Sequence, residues 1–369
     1  MFLKKTTYKK KMPKKLCLNM IVKNESRIMP RCLSHVKDFI SYYVICDTGS
    51  DDNTVELIGQ CLEGIPGEVH HEKFVNFSQA RNLALSYVKT VSRDIDFDFI
   101  LCIDADMIFR PSPDLMTCLE NTVSCYMLRQ ECAGLSYYNI RLINRDQITQ
   151  YTGATHEVYV SPGDHQRTSV AYIEDIDDGG CKGDKFKRDE KLLRQELVEN
   201  PTDPRTMFYL AQTLKSVEKL DDAILMYQKH QKHQTWQEEA FYSRYMESVC
   251  LYQQKKYLLA VDKALSAFYY YPERYESLAF AVRVCREQKM WEMAWALCPE
   301  QSSVPKCDKH ILFIEKHVYE HQFLLEQTKI AYYVKEEIKG TIAVEKLLAM
   351  PNITKAEYKL LLHNKKFYS

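Results

Sequence analysis

Apolar runs and helical periods alternate along the first part of the chain. Leu16 to Val22 is a nearly unbroken apolar run and predicts a buried strand. Lys23-Asn24-Glu25-Ser26 follows as a helix-start signal, and a helical period runs from Ile28 to Val36. Tyr42 to Cys46 reads as a second strand. It ends in the turn-rich segment Asp47 to Thr54, after which Val55 to Leu62 is helical. Ala80 to Val91 is a further helix, and Phe97 to Ile103 a third buried strand, closed by Asp104-Ala105-Asp106. Strand, helix, strand, loop and helix in this order predict an α/β layer with a mostly parallel, mixed sheet. Ligands of such sheets bind beyond the carboxyl ends of the strands, where Asp47 and Asp104 both fall.

From Lys185 the pattern changes. Glycine nearly vanishes and helical periodicity takes over. Ala223, Ala260 and Ala294 recur at spacings of 37 and 34, and Pro204 and Pro272 lie 68 apart. A period near 34 with small residues at helix crossings predicts tetratricopeptide-like helical pairs. Tyr209, Tyr227, Tyr242, Tyr257 and Tyr269 to Tyr271 are expected to pack between helices. His70, His71, His230 and His233 read as surface residues. The helical tail from Lys306 to Ser369 shows no clear repeat. The expected division is a basic tail over 1–15, an α/β domain over 16–187 and an all-α repeat domain over 188–369.

Asp104 and Asp106 carry the most chemistry. Taken alone, such a pair is equally the solvated end of a strand. Two carboxylates one residue apart also suit Mg²⁺ or Mn²⁺, which prefer oxygen ligands and complete their shells with substrate phosphates. The surrounding segments decide between these readings. Asn19 to Glu25, Asp47 to Thr54, Phe77-Ser78-Gln79-Ala80-Arg81-Asn82 and Asp104-Ala105-Asp106 resemble, in order and spacing, the family 2 glycosyltransferases. Thr155-His156-Glu157 and the stretch Asp178 to Asp189 resemble a subgroup with a helical-repeat tail. The likeness covers about residues 16 to 245.

The resemblance implies a GT-A fold, a nucleotide-sugar donor, above all a UDP-sugar, and a divalent metal. It assigns donor binding to Asn24, Glu25, Asp47, Arg81 and Asp104. Asp104, Asp106 and His156 would face the metal, and Glu157 or Asp178 would serve as catalytic base. It further implies inversion, with a glycan, peptide or lipid-linked acceptor. The residues themselves leave Glu157 open as an ordinary strand residue. Asp178 stays open between base, metal ligand and turn, and Asp175 reads as a solvated turn. Two rivals remain: a nucleotidyltransferase on a similar sheet, and a helical-repeat scaffold with an inactive transferase domain that binds a protein partner.

Composition sets the outer limits. Lys plus Arg and Asp plus Glu are both 50, so no global field draws the chain to nucleic acid. The exception is Lys4, Lys5, Lys9, Lys10, Lys11, Lys14 and Lys15, a solvated tail or a contact to an anionic membrane surface. No run is long enough to span a bilayer. The 13 cysteines include no Cys-x-x-Cys, and sequons at Asn24 and Asn76 fall in the proposed donor site. Both point to a reduced, cytoplasmic setting.

Overall fold

The computed structural model describes residues 14–132, 134–179, 185–233, 235–351 and 353–368. Lys4 to Lys11, and Gly180 to Asp184 in the Asp178–Asp189 stretch, lie outside the described residues. The chain divides into two compact units, residues 1–133 with 137–188, and residues 134–136 with 189–369.

The first unit holds β1 (Leu16–Val22), α1 (Met29–Ser34), β2 (Ile40–Asp47), α2 (Thr54–Cys61), β3 (Gly67–His71) and α3 (Phe77–Val91). There follow β4 (Phe99–Cys102), β5 (Met107–Pro111), α4 (Leu115–Cys118), β6 (Cys125–Cys132) and β7 (Leu135–Asn144). The hairpin β8 (Gln150–Thr152) with β9 (Val158–Val160) and the long β10 (His165–Asp175) complete it. The sheet runs β3-β2-β1-β4-β7-β6-β10-β5. The first four strands are parallel, β10 is parallel to β6, and β7 and β5 run antiparallel to β4 and β10. This is the mixed, mostly parallel sheet expected of a GT-A-like domain.

The apolar run of β1 follows from burial on both faces. Leu16, Leu18, Met20 and Val22 join one core cluster with Met29, Leu33 and Ile58 of α1 and α2. Cys17 joins the opposite cluster with Leu85 and Val88 of α3. Register pairs Val22 with Asp47 and Asn19 with Cys102. The loops that follow β1, β2 and β4 therefore leave the same edge of the sheet.

The second unit is helical: α5 (Lys185–Glu199), α6 (Pro204–Ser216), α7 (Leu220–His230), α8 (Gln237–Gln253), α9 (Tyr257–Tyr270), α10 (Glu276–Glu287), α11 (Trp291–Leu297), α12 (Phe323–Ile330), α13 (Glu337–Leu348) and α14 (Lys355–Lys365). Ala223, Ala260 and Ala294 are fully buried on the second helix of successive pairs. Pro204 opens α6, with Asp203 capping the Thr206 amide at 2.7 Å. Pro272 instead lies in the loop before α10.

Each pair turns through a left-handed residue: Glu218, Lys255 and Lys289 have φ of 59°, 63° and 59°. Lys335, between α12 and α13, has φ of 60° and makes the same turn. The tail thus contains a fourth helical pair whose register the sequence concealed. No helix among the described residues is long and apolar enough to cross a membrane.

Two sequence expectations are corrected. His230 is fully buried against Phe208, because α7 turns it inward between neighbouring helices. Tyr269 and Tyr270 are exposed, since they end α9 on its outer side, and Arg244 covers the Tyr270 ring at 3.9 Å.

Candidate active site

Two loops are stitched together at the common strand edge. Asn24 adopts a left-handed φ of 55°, and its amide donates to Ser50 Oγ at 3.0 Å. Its side-chain oxygen accepts the Asp51 amide at 2.9 Å. The amides of Glu25 and Ser26 donate to Thr54 Oγ1 and Asp52 Oδ2 at 2.8 and 3.1 Å. Asp52 is also the acceptor for the Thr54 amide at 3.0 Å. Burial works against its charge, but the bonds from Ser26 and Thr54 prevail and pull its carboxyl down to about 2. Asp47, 2% exposed at the end of β2, accepts the Ser50 amide at 3.1 Å and contacts His71 Nδ1 at 3.2 Å. The Asp47–Thr54 turn is therefore held from within and from the β1 loop.

Helix α3 supplies the next layer. Asn76 caps it by accepting the Gln79 amide at 2.8 Å. Arg81, one turn on, is buried and holds two carboxylates. Its Nη2 donates to Asp104 Oδ1 at 2.7 Å, and its Nε donates to Glu157 Oε1. Asn82 grips the hairpin that carries Glu157, donating to the Tyr151 carbonyl at 2.9 Å and accepting its amide at 2.7 Å. The Phe77 amide donates to the Ala154 carbonyl at 3.0 Å. The motif from Phe77 to Asn82 is thus a clamp on the hairpin of β8 and β9.

Asp104 also lies 3.6 Å from Arg141 Nη1. Burial raises its carboxyl, and Arg81 and Arg141 outweigh it and hold the group below its ordinary value. Asp106 has the opposite surroundings. Burial, then the charges of Asp104, Asp175 and Glu25, push its carboxyl up to about 7. Asp175 is the last residue of β10, not a solvated turn. It accepts Gln130 Nε2 at 2.8 Å and the Tyr137 hydroxyl at 3.2 Å. The Ile176 amide donates to the Asp106 carbonyl at 3.1 Å, which sets the two acidic residues side by side.

Gly179 closes this corner. A methyl carbon placed on it would stand 3.2 Å from Asp106 Oδ2 and 3.5 Å from Glu25 Oε1. Next to it Asp178 accepts with one oxygen from each terminal Arg31 nitrogen, Nη1 and Nη2, at 2.9 and 2.6 Å, with Arg27 beside it at 3.6 Å. The bond from Arg31 holds its carboxyl below the ordinary value.

His156 and Glu157 are parted. His156 is exposed at a left-handed φ of 50°, whereas Glu157 turns in to Arg81. Among the described residues, no group of three or more His, Cys, Asp or Glu is arranged to hold a metal ion. Asp104, Asp106 and His156 therefore do not form a protein shell on their own. Asp106 still fits one side of a shell completed by phosphate oxygens: it is a half-buried carboxylate facing other carboxylates, the setting in which a cation offsets repulsion.

The sequence missed the roles of Arg27 and Arg31, which hold Asp178, of Arg141, which lies against Asp104, and of Asn82, which holds the hairpin that carries Glu157. Asn82 carried a signal as the last residue of the Phe77–Asn82 motif, and Arg141 as the first residue of the stretch Arg141 to Arg145.

Residues 17–153 match the model of glycosyl transferase family 2. This span is a family 2 glycosyl transferase domain, and it contains the clamp, both aspartates of the Asp104–Asp106 pair and the stitched loops. The chain is also similar to the SPbeta prophage-derived glycosyltransferase SunS of Bacillus subtilis. They are 22% identical over 244 residues, 59% of this chain and 53% of that protein. A TPR repeat-containing protein of Synechococcus elongatus is 35% identical over 89 residues, 24% of this chain and 20% of that protein. The chain thus spans about half or less of the length of these relatives. Among solved structures, the TPR protein YrrB aligns at a TM-score of 0.37 and 13% identity, over 50% of this chain and 84% of its own.

Proposed function

We propose that the chain transfers a sugar from a nucleotide-sugar donor, of the UDP-sugar class, to an acceptor with inversion. The observation that carries this reading is the meeting of Glu25, Asp104 and Asp106, all within the span that matches family 2, with Asp175 at one sheet edge. The name of the relative SunS, a glycosyltransferase, supports it.

In this reading the loop of Asp47 and Asn24 holds the nucleoside, with Arg81 and Asp104 at its ribose side. Asp106 faces the diphosphate. A bound Mn²⁺ or Mg²⁺ would supply Lewis acidity there and offset the charge of the leaving diphosphate. Glu157 is the favoured base: it gives one oxygen to Arg81, whereas Asp178 gives both to Arg31. His156, beside it on the exposed turn, would meet phosphate or acceptor. The domain division near residue 188 and an acceptor or protein partner on the helical repeats belong to the same proposal.

Product analysis tests it. Incubation with UDP-sugars and Mn²⁺ should release UDP. Release of pyrophosphate from a nucleoside triphosphate and a sugar phosphate would make the chain a nucleotidyltransferase instead. If no nucleotide sugar shifts the melting temperature with metal present, the scaffold reading replaces the enzyme.

A further inference from the structure

In the helical unit, two buried charged side chains bond the main chain of one crossing segment. Between α11 and α12 the helical array is interrupted. Residues 310–315, His310-Ile311-Leu312-Phe313-Ile314-Glu315, cross the helices in irregular and extended form, and Ile314 and Glu315 pair antiparallel with Ser136 and Leu135 at the start of β7. The amides of Ile311 and Leu312 donate to Glu238 Oε2 at 3.0 and 2.8 Å. The carbonyls of Leu312 and Phe313 accept Arg274 Nη2 at 3.0 and 3.4 Å. Glu238 and Arg274 are 6% and 0% exposed and bond each other at 3.1 Å, while Glu276 fixes the other edge of the guanidinium at 3.0 Å.

A buried ion triad of this kind costs desolvation that its mutual attraction does not clearly recover. Here it aims a donor and an acceptor at main-chain atoms of one segment. Side chains add selectivity: the Phe313 ring lies 4.8 Å from that of Tyr242, and the Tyr245 hydroxyl donates to Glu315 Oε1 at 3.0 Å. Leu312 is buried in the helical core.

We infer that this is a groove for an extended peptide of the pattern apolar-aromatic-x-acidic, and that Leu312 to Glu315 occupy it as a built-in ligand. The inference does not rest on the transferase reading. Four of the bonds go to backbone atoms, which any peptide carries. The segment is held at a local cost: Phe313 has a left-handed φ of 47°, unusual for an aromatic residue. Its leading flank is open, with Pro305, Lys306, Asp308 and Lys309 exposed.

The test uses the full chain and a labelled peptide of residues 308–317. L312D/F313D should release the segment, keep the far-ultraviolet helical signal, and speed tryptic cleavage at Lys306 or Lys309 at least ten-fold. The peptide should bind this variant at least ten-fold more tightly than the unaltered chain and raise its melting temperature, and a scrambled peptide should do neither. Equal binding to both proteins would overturn the proposal. So would a helical signal that collapses and is not restored by the peptide, since the segment would then be core.

Discussion

Arg81 Nη2 donates to Asp104 Oδ1 at 2.7 Å, while the same guanidinium takes Glu157 with its Nε. One cation from α3 therefore fixes an acidic residue of the β4 loop and another from the β8–β9 turn. Burial opposes its charge, and the two carboxylates hold it charged well above the ordinary arginine range. Arg81→Gln should leave both acids without their partner. Breaking a buried pair in this way costs about 3–5 kcal/mol. Denaturant unfolding should show that loss, and Arg81→Lys should recover only part of it because one ammonium cannot span both partners.

Asp106→Asn should abolish transfer without weakening the fold. The native carboxyl is pushed up to about 7 by burial and three neighbouring acids, so its charge contributes no stability to the metal-free protein. The melting temperature should hold or rise. Mn²⁺-dependent stabilisation by UDP should vanish. Persistence of that stabilisation would remove Asp106 from the metal site.

Glu157→Gln should cut the transfer rate by about 100-fold or more, the usual scale for a positioned base. Donor affinity by calorimetry should stay nearly unchanged. Asp178→Asn should do less, because Asp178 already spends both oxygens on Arg31. An inactive Asp178 variant beside a near-normal Glu157 variant would move the base to the acidic loop.

His230 makes the helical unit sensitive to acid. Burial, then Arg244 and His233, lower its pKa to about 4 from an ordinary 6.5. Below pH 6.5 the unfolded chain binds a proton that the folded one refuses. Stability is therefore complete above pH 6.5 and is lost as pH falls toward 4, by about 3 kcal/mol at most. His230→Phe should flatten that slope in denaturant titrations at pH 7 and pH 4.5. An unchanged slope would show that other groups set it.

The strands β1, β2 and β4 and the loops that follow them were legible because their signals are local, whereas β3, β5, β6, β7 and β10 were not read. A doubly buried strand such as Leu16–Val22 announces itself by its own residues, and so does the turn after Asp47. The clamp was not legible. Arg81 meets partners 23 and 76 residues away, and no local pattern records such a meeting. The Ala223, Ala260 and Ala294 period revealed three helical pairs because helix crossings demand small residues. The fourth pair hid because Lys335 carries the shared turn through backbone conformation alone. His230 was misread because residue type suggested solvent, while its place on α7 dictated the core.

The bonds from Asn24, Glu25 and Ser26 to the Asp47–Thr54 turn make two loops into one thermodynamic unit. A ligand that engages only the Asp47 end also fixes Glu25, more than twenty residues earlier in the chain, and so lowers the entropic cost of whatever binds beside Asp106. Occupancy at the two ends should therefore be cooperative, and Thr54→Val, which removes the hydroxyl that accepts the Glu25 amide, should loosen that coupling more than it weakens either end by itself.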